Sequence, residues 1–191
     1  MTRVMIAVLL ALPVVLRGQS SKGTCASPFQ VALASERHIS MHLRAADVEI
    51  AGTNKPALRV TCRVDEGDAD HIKVSFAAAD LRIYGGPDRN LHLRIEVPAR
   101  TNLLVRLTAG DLQVSGITGD KDIQLRAGDL TIAVGHPEDY RVAEGSVLAG
   151  DLNASAFGVT KDGLFRSFRK DNANGRYRLH AELLAGDLTL R

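Results

Sequence analysis

Apolar and polar residues alternate along much of the chain. Ile72-Lys-Val-Ser-Phe76, Leu91-His-Leu-Arg-Ile-Glu-Val97, residues 103–107 and Tyr177-Arg-Leu-His-Ala-Glu-Leu183 each place every second side chain on one face. That is the two-residue period of a half-buried strand. Beyond residue 20 no stretch carries a 3.6-residue period, so the pattern predicts an all-β protein. Pro98, Pro137 and joints such as Gly85-Gly86-Pro87 and Asn174-Gly175 punctuate the strands, and no linker divides the chain.

One unit recurs within this alternation. It reads Leu43-Arg-Ala-Ala-Asp47-Val-Glu-Ile50, Phe76-Ala-Ala-Ala-Asp80-Leu-Arg-Ile83, Leu107-Thr-Ala-Gly-Asp111-Leu-Gln-Val114 and Leu125-Arg-Ala-Gly-Asp129-Leu-Thr-Ile132. Val147-Leu-Ala-Gly-Asp151-Leu-Asn-Ala154 and Leu183-Leu-Ala-Gly-Asp187-Leu-Thr-Leu190 complete the set. Apolar residues alternate before and after each unit, yet the step from one run to the other is five residues. An odd step turns one flank outward on a straight strand, so the chain must bend at Ala-Gly-Asp. Glycine permits the bend, and an aspartate can accept neighbouring N–H groups there. Each unit therefore reads as strand, corner, strand, with Asp47, Asp80, Asp111, Asp129, Asp151 and Asp187 as corner residues. Successive aspartates lie 33, 31, 18, 22 and 36 residues apart, which predicts a β-solenoid of irregular rungs of about 18 residues.

The first 20 residues differ from the rest. A basic start, the apolar run Val4–Leu16 and the small or polar exit Arg17-Gly-Gln-Ser20 describe a secretory signal peptide. That run is too short for a spanning helix, which needs roughly 20 residues, and no later run is long enough. The organisation expected is a signal peptide at 1–20 and a single domain at 21–191, exported to the periplasm, cell surface or extracellular space. Cys25 and Cys62 are either two buried thiols or a disulfide holding the N-terminal segment to an early strand. An oxidising compartment favours the disulfide.

Charge and candidate chemistry narrow the function. The net charge is +2, too slim for a dedicated nucleic-acid binder. A core must come from Leu, Val, Ile and Ala, since aromatics are 4% and Trp is absent. Calcium-binding solenoids repeat paired acidic ligands at a nine-residue period; one aspartate per unit does not match, and no metal site or cofactor is expected. The six histidines are scattered. His38 and His42 lie about 13 Å apart on a strand, too far to share an ion. A polysaccharide lyase or glycosidase on a β-helix remains the alternative, because stacked corners could gather Asp111, Asp129 and Asp151; such enzymes need convergent carboxylates about 5 to 10 Å apart. Repetition is how scaffolds look, whereas catalytic sites are singular, so no catalytic residue is expected. Residues 161–178 hold six basic side chains against Asp162 and Asp171, interleaved with Phe165, Phe168 and Tyr177. They read as an end cap first and as a contact patch (Phe165, Arg166, Phe168, Arg169, Lys170, Arg176) second.

The Ala-Gly-Asp-Leu repeat behind a signal peptide resembles the bacterial putative-adhesin family, a domain of unknown function. Gly163-Leu-Phe-Arg-Ser-Phe168, Gly175-Arg-Tyr-Arg-Leu-His180 and Ala185-Gly-Asp-Leu-Thr-Leu190 are similar to its closing segment, and the resemblance covers most of residues 29–191. It implies a single-stranded right-handed β-helix and an adhesin-like binding or envelope-structural role. An envelope glycan or another envelope protein would be the partner, and the family offers no catalytic residues.

Overall fold

The computed structural model describes residues 20–33, 38–64, 67–86 and 90–191. The expected signal segment lies outside the described residues except for Ser20. In chain order the strands are β1 (Ser21–Thr24), β2 (Phe29–Ala32), β3 (His38–Ala45), β4 (Asp47–Thr53), β5 (Ala57–Arg63) and β6 (Lys73–Ala77). There follow β7 (Asp80–Tyr84), β8 (His92–Pro98), β9 (Asn102–Ala109), β10 (Leu112–Ser115), β11 (Lys121–Ala127) and β12 (Leu130–Ile132). The last six are β13 (Tyr140–Ala149), β14 (Leu152–Ala154), β15 (Val159–Lys161), β16 (Leu164–Asp171), β17 (Tyr177–Ala185) and β18 (Leu188–Leu190).

They form two nine-stranded mixed sheets, ordered β1-β6-β7-β3-β9-β11-β17-β13-β16 and β15-β14-β18-β12-β10-β4-β8-β5-β2. Alternation decides the packing. Ile39, Met41 and Leu43 of β3, Leu103, Val105 and Leu107 of β9, and Ile123 and Leu125 of β11 are buried on the inner face of the first sheet. Val48, Ile50, Leu112, Val114, Leu130 and Ile132 are buried on the inner face of the second, in one continuous core. The result is a two-layer sandwich with polar outer faces.

This corrects the expected fold. The chain is not a single-stranded right-handed β-helix with successive rungs of about 18 residues. Five corners do carry the chain from the first sheet to the second, between β3 and β4, β9 and β10, β11 and β12, β13 and β14, and β17 and β18. Their stacking order is not the chain order, because β17 inserts between β11 and β13 and β7 lies outside β3. Six antiparallel pairings, such as β13 with β16 and β5 with β8, flank the parallel centre. The spacing pattern could not disclose this, since a corner unit is local and its partner is chosen by long-range pairing.

Candidate functional site

Five of the six repeat aspartates form one column. Asp47 Oδ1 accepts the backbone N–H of Asp111 at 3.2 Å, Asp111 Oδ1 that of Asp129 at 3.0 Å, and Asp129 Oδ1 that of Asp187 at 3.0 Å. Asp187 Oδ1 accepts from Asp151 at 2.9 Å, and Asp151 Oδ1 from Gly163 at 3.4 Å. The preceding glycines explain why the column can be so tight. A Cβ on Gly128 (φ +123°) would lie 2.3 Å from the Gly110 carbonyl oxygen, and one on Gly186 (φ +126°) 2.1 Å from that of Gly128. No L side chain fits there. These carboxylates are thus occupied in holding adjacent corners together.

Asp80 stands apart from the column. It opens β7 after a two-residue hairpin from β6 in which Ala78 and Ala79 have φ of 50° and 65°. Its Oδ2 accepts from Arg82 Nε at 2.6 Å. The Phe76–Ile83 copy of the unit therefore makes a turn within one sheet rather than a corner between two. Its Ala-Ala lacks the glycine that the stacked corners require, and the two alanines instead adopt the positive φ values of a tight hairpin.

The basic segment near the C-terminus is also divided. Phe168 is 8% exposed and packs 5.6 Å from Phe157, over Gly145 of β13, where a Cβ would meet its ring at 2.5 Å. Phe165 is 76% exposed at φ 55°. The expectation that both rings cap the core is thus corrected: they are three residues apart on β16, and an odd step puts them on opposite faces. Arg169 is paired with Glu144 and Asp171, and these carboxylates raise its pKa while its guanidinium lowers that of Asp171. Lys170 Nζ donates to the Phe157 carbonyl at 3.2 Å. Arg176 is exposed, and its backbone N–H donates to the Asp139 carbonyl at 2.8 Å. Arg166 is half-buried against Gly163. The segment lines the edges of both sheets through β15 and β16, and the side chains of Lys161, Arg169, Lys170 and Asp171 have partners inside the protein.

Cys25 and Cys62 form a disulfide across 37 residues of sequence, with Cα atoms 5.3 Å apart. It ties the segment after β1 in the first sheet to β5 in the second.

A groove crosses the outer face of the first sheet. It has a volume of about 1230 Å³ and runs from β6 to β17. One transverse row on this face consists of Arg82, His42, Arg106, Gln124 and Glu182, each beside the next on the neighbouring strand. Two residues further along the strands come Tyr84, Arg44, Thr108, Arg126 and Leu184, with Ser75 at the β6 side. Arg106 is held by the Asp122 carbonyl at 3.0 Å and its carboxylate at 3.1 Å. Arg126 is exposed and makes no hydrogen bond or ion pair among the described residues. Sequence reading missed this site, although a signal existed. Arg44, Thr108, Arg126 and Leu184 all occupy the third position before a corner aspartate, and stacked corners bring that position into one row.

Inside the sandwich, Lys121 is 1% exposed. Its ammonium donates to the Tyr140 hydroxyl and to the Gly119 carbonyl at 3.2 Å, and lies 4.9 Å from the Tyr140 ring centre. Burial lowers its pKa to about 8, against an opposing pull from Asp120. Burial raises that of Tyr140, helped by Asp139, Tyr177 and Asp120.

No group of three or more metal-ligating side chains occurs among the described residues, and no helix there is long and apolar enough to cross a membrane. No protein-family profile matches the chain, and no curated protein matches it. Among solved structures it is similar to a "putative cell adhesion protein" from Clostridium sporogenes, at 13% identity over 91% of this chain and 99% of that one, with a TM-score of 0.48. A "putative adhesin" from Bacteroides fragilis matches at 7% identity over 86% of this chain and 96% of that one, with a TM-score of 0.26.

Proposed function

We propose that the protein is an exported, non-enzymatic, adhesin-like binding module that uses the outer groove of the first sheet as its contact surface. The observation that carries this reading is the groove itself, a recess across six strands walled by outward-pointing arginines and polar side chains. Ligand sites are concave and hold a few convergent polar groups. Asp111, Asp129 and Asp151, the carboxylates a lyase or glycosidase would need in a cleft, accept backbone hydrogen bonds in the corner column instead. Export is supported by the character of residues 1–20 and by the Cys25–Cys62 disulfide, a bond suited to an oxidising compartment.

Attachment of the purified domain to isolated cell envelopes tests the reading, with Thr108→Trp as the blocking variant. Thr108 lines the middle of the groove on an exposed position. Loss of attachment with unchanged melting supports the proposal. Attachment that survives the tryptophan removes the groove from consideration, and release of new reducing ends from envelope polysaccharide restores the enzyme reading.

A further inference from the structure

The groove's chemistry selects a ligand, an inference that rests on the groove being the contact surface. We infer that it takes a linear acidic polysaccharide, a chain bearing a carboxylate on successive sugar residues. Arg82 and Arg106 share a row and are separated by the β3 strand, so their Cα atoms stand about 10 Å apart at the usual spacing of neighbouring strands. Arg44 and Arg126 are likewise separated by β9 in the next row, about 7 Å along the strands. Four arginines thus form a staggered array, in which Arg82 also pairs with Asp80 and Arg106 with Asp122, and Glu182 is the one carboxylate among the described residues that lines the groove. Guanidinium presents a planar fork that matches carboxylates in a bidentate geometry. Arg106 is anchored by Asp122 and so is held in place before any ligand arrives; Arg126 has its donors uncommitted.

The remaining lining suits sugar rather than base or lipid. Ser75, Thr108, Gln124 and His42 offer hydroxyl, amide and imidazole partners for sugar hydroxyls. Tyr84 is 49% exposed at one side and supplies a flat apolar ring against which a pyranose face can lie. Single-stranded nucleic acid is bound on a series of aromatic platforms, and among the described residues Tyr84 is the one phenol or benzyl ring that lines the groove. A flat bilayer cannot enter a recess that a single extended chain can follow.

The test measures binding of the disulfide-intact domain to polygalacturonate, to the same polymer fully methyl-esterified, and to galacturonate monomer. Anionic lipid vesicles and single-stranded DNA form the comparison arms. The inference expects the acidic polymer to bind, the ester and the monomer to bind at least about tenfold more weakly, and the affinity to fall as salt rises. Arg82→Gln with Arg126→Gln should weaken polymer binding by about tenfold or more with unchanged melting. Equal binding of the esterified polymer, an unaffected double variant, or stronger binding to vesicles or DNA overturns it. If no acidic polymer binds while Thr108→Trp still abolishes envelope attachment, the ligand class is wrong and the groove reading stands. If Thr108→Trp also leaves attachment intact, both fall together.

Discussion

Asp111 Oδ1 accepts the backbone N–H of Asp129 at 3.0 Å, joining two corners 18 residues apart in sequence. This contact defines the role of the repeat, because an acceptor of the right shape is all it requires. Asp111→Asn keeps an oxygen at that place and should melt close to the wild type. Asp111→Ala leaves the Asp129 N–H to solvent and should cost about 1 kcal/mol. Urea unfolding of the two variants separates an acceptor from a charge. Equal losses for both would mean that the carboxylate's charge matters, against the column reading.

Gly128 is constrained twice. Its φ of +123° is disfavoured for any L side chain, and a Cβ would press to 2.3 Å from the Gly110 carbonyl. Gly128→Ala should destabilise by about 2 kcal/mol or more, since backbone strain and overpacking each cost about 1 to 3. Gly135, also at positive φ but with nothing within 4 Å of its Cβ position, should lose less on the same substitution. Thermal melts that rank the two the other way would refute the stacked-glycine account.

The disulfide closes a loop of 37 residues. Chain-entropy arguments assign such a closure about 3 to 4 kcal/mol. Cys25→Ser with Cys62→Ser should lower the denaturant midpoint accordingly, as should a reducing agent on the wild type. A midpoint that does not move under either treatment would show that the covalent link adds nothing to the packing of β1 and β5.

Phe165 and Phe168 provide an internal contrast on one strand. Phe168→Ala removes a ring packed on Phe157 and Gly145 and should cost about 3 to 5 kcal/mol. Phe165→Ser should melt like the wild type, because its ring stands in solvent. Differential scanning calorimetry of the pair decides the matter, and comparable losses would place both rings in the core.

Lys121 gives the fold a pH dependence of definite sign. Its folded pKa, about 8, lies below the ordinary 10.5, so between these values the unfolded chain binds more protons. Stability should therefore rise with pH across that window, by at most about 1.4 kcal/mol per pH unit, and be lost as pH falls through 8. Tyr140, with a raised pKa, acts oppositely and withdraws stability above about pH 10. Lys121→Met should flatten the rise between pH 8 and 10 in denaturant titrations. An unchanged slope would show that the ammonium is not the source.

Much of this protein was legible in its sequence because alternation and parity act over a few residues. The runs around Met41, Val105 and Ile123 announced strands, and the five-residue step across Ala-Gly-Asp required a bend that Gly128 and its counterparts make. The division between Phe165 and Phe168 ran against the cap expected of both rings, and the structure decided it. Tertiary structure alone decided which corner sits on which. Asp129 joins Asp187 rather than Asp151, its nearer neighbour in sequence, because β17 lies between β11 and β13 in the sheet. It also decided the site. Arg44 and Arg126 share a place in the repeat, but Arg82 and Arg106 do not, and only the lateral order of β7, β3, β9 and β11 gathers all four on one face. Backbone hydrogen bonding between strands is indifferent to side-chain identity, so the pairing that assembles the groove is chosen by how the whole core packs.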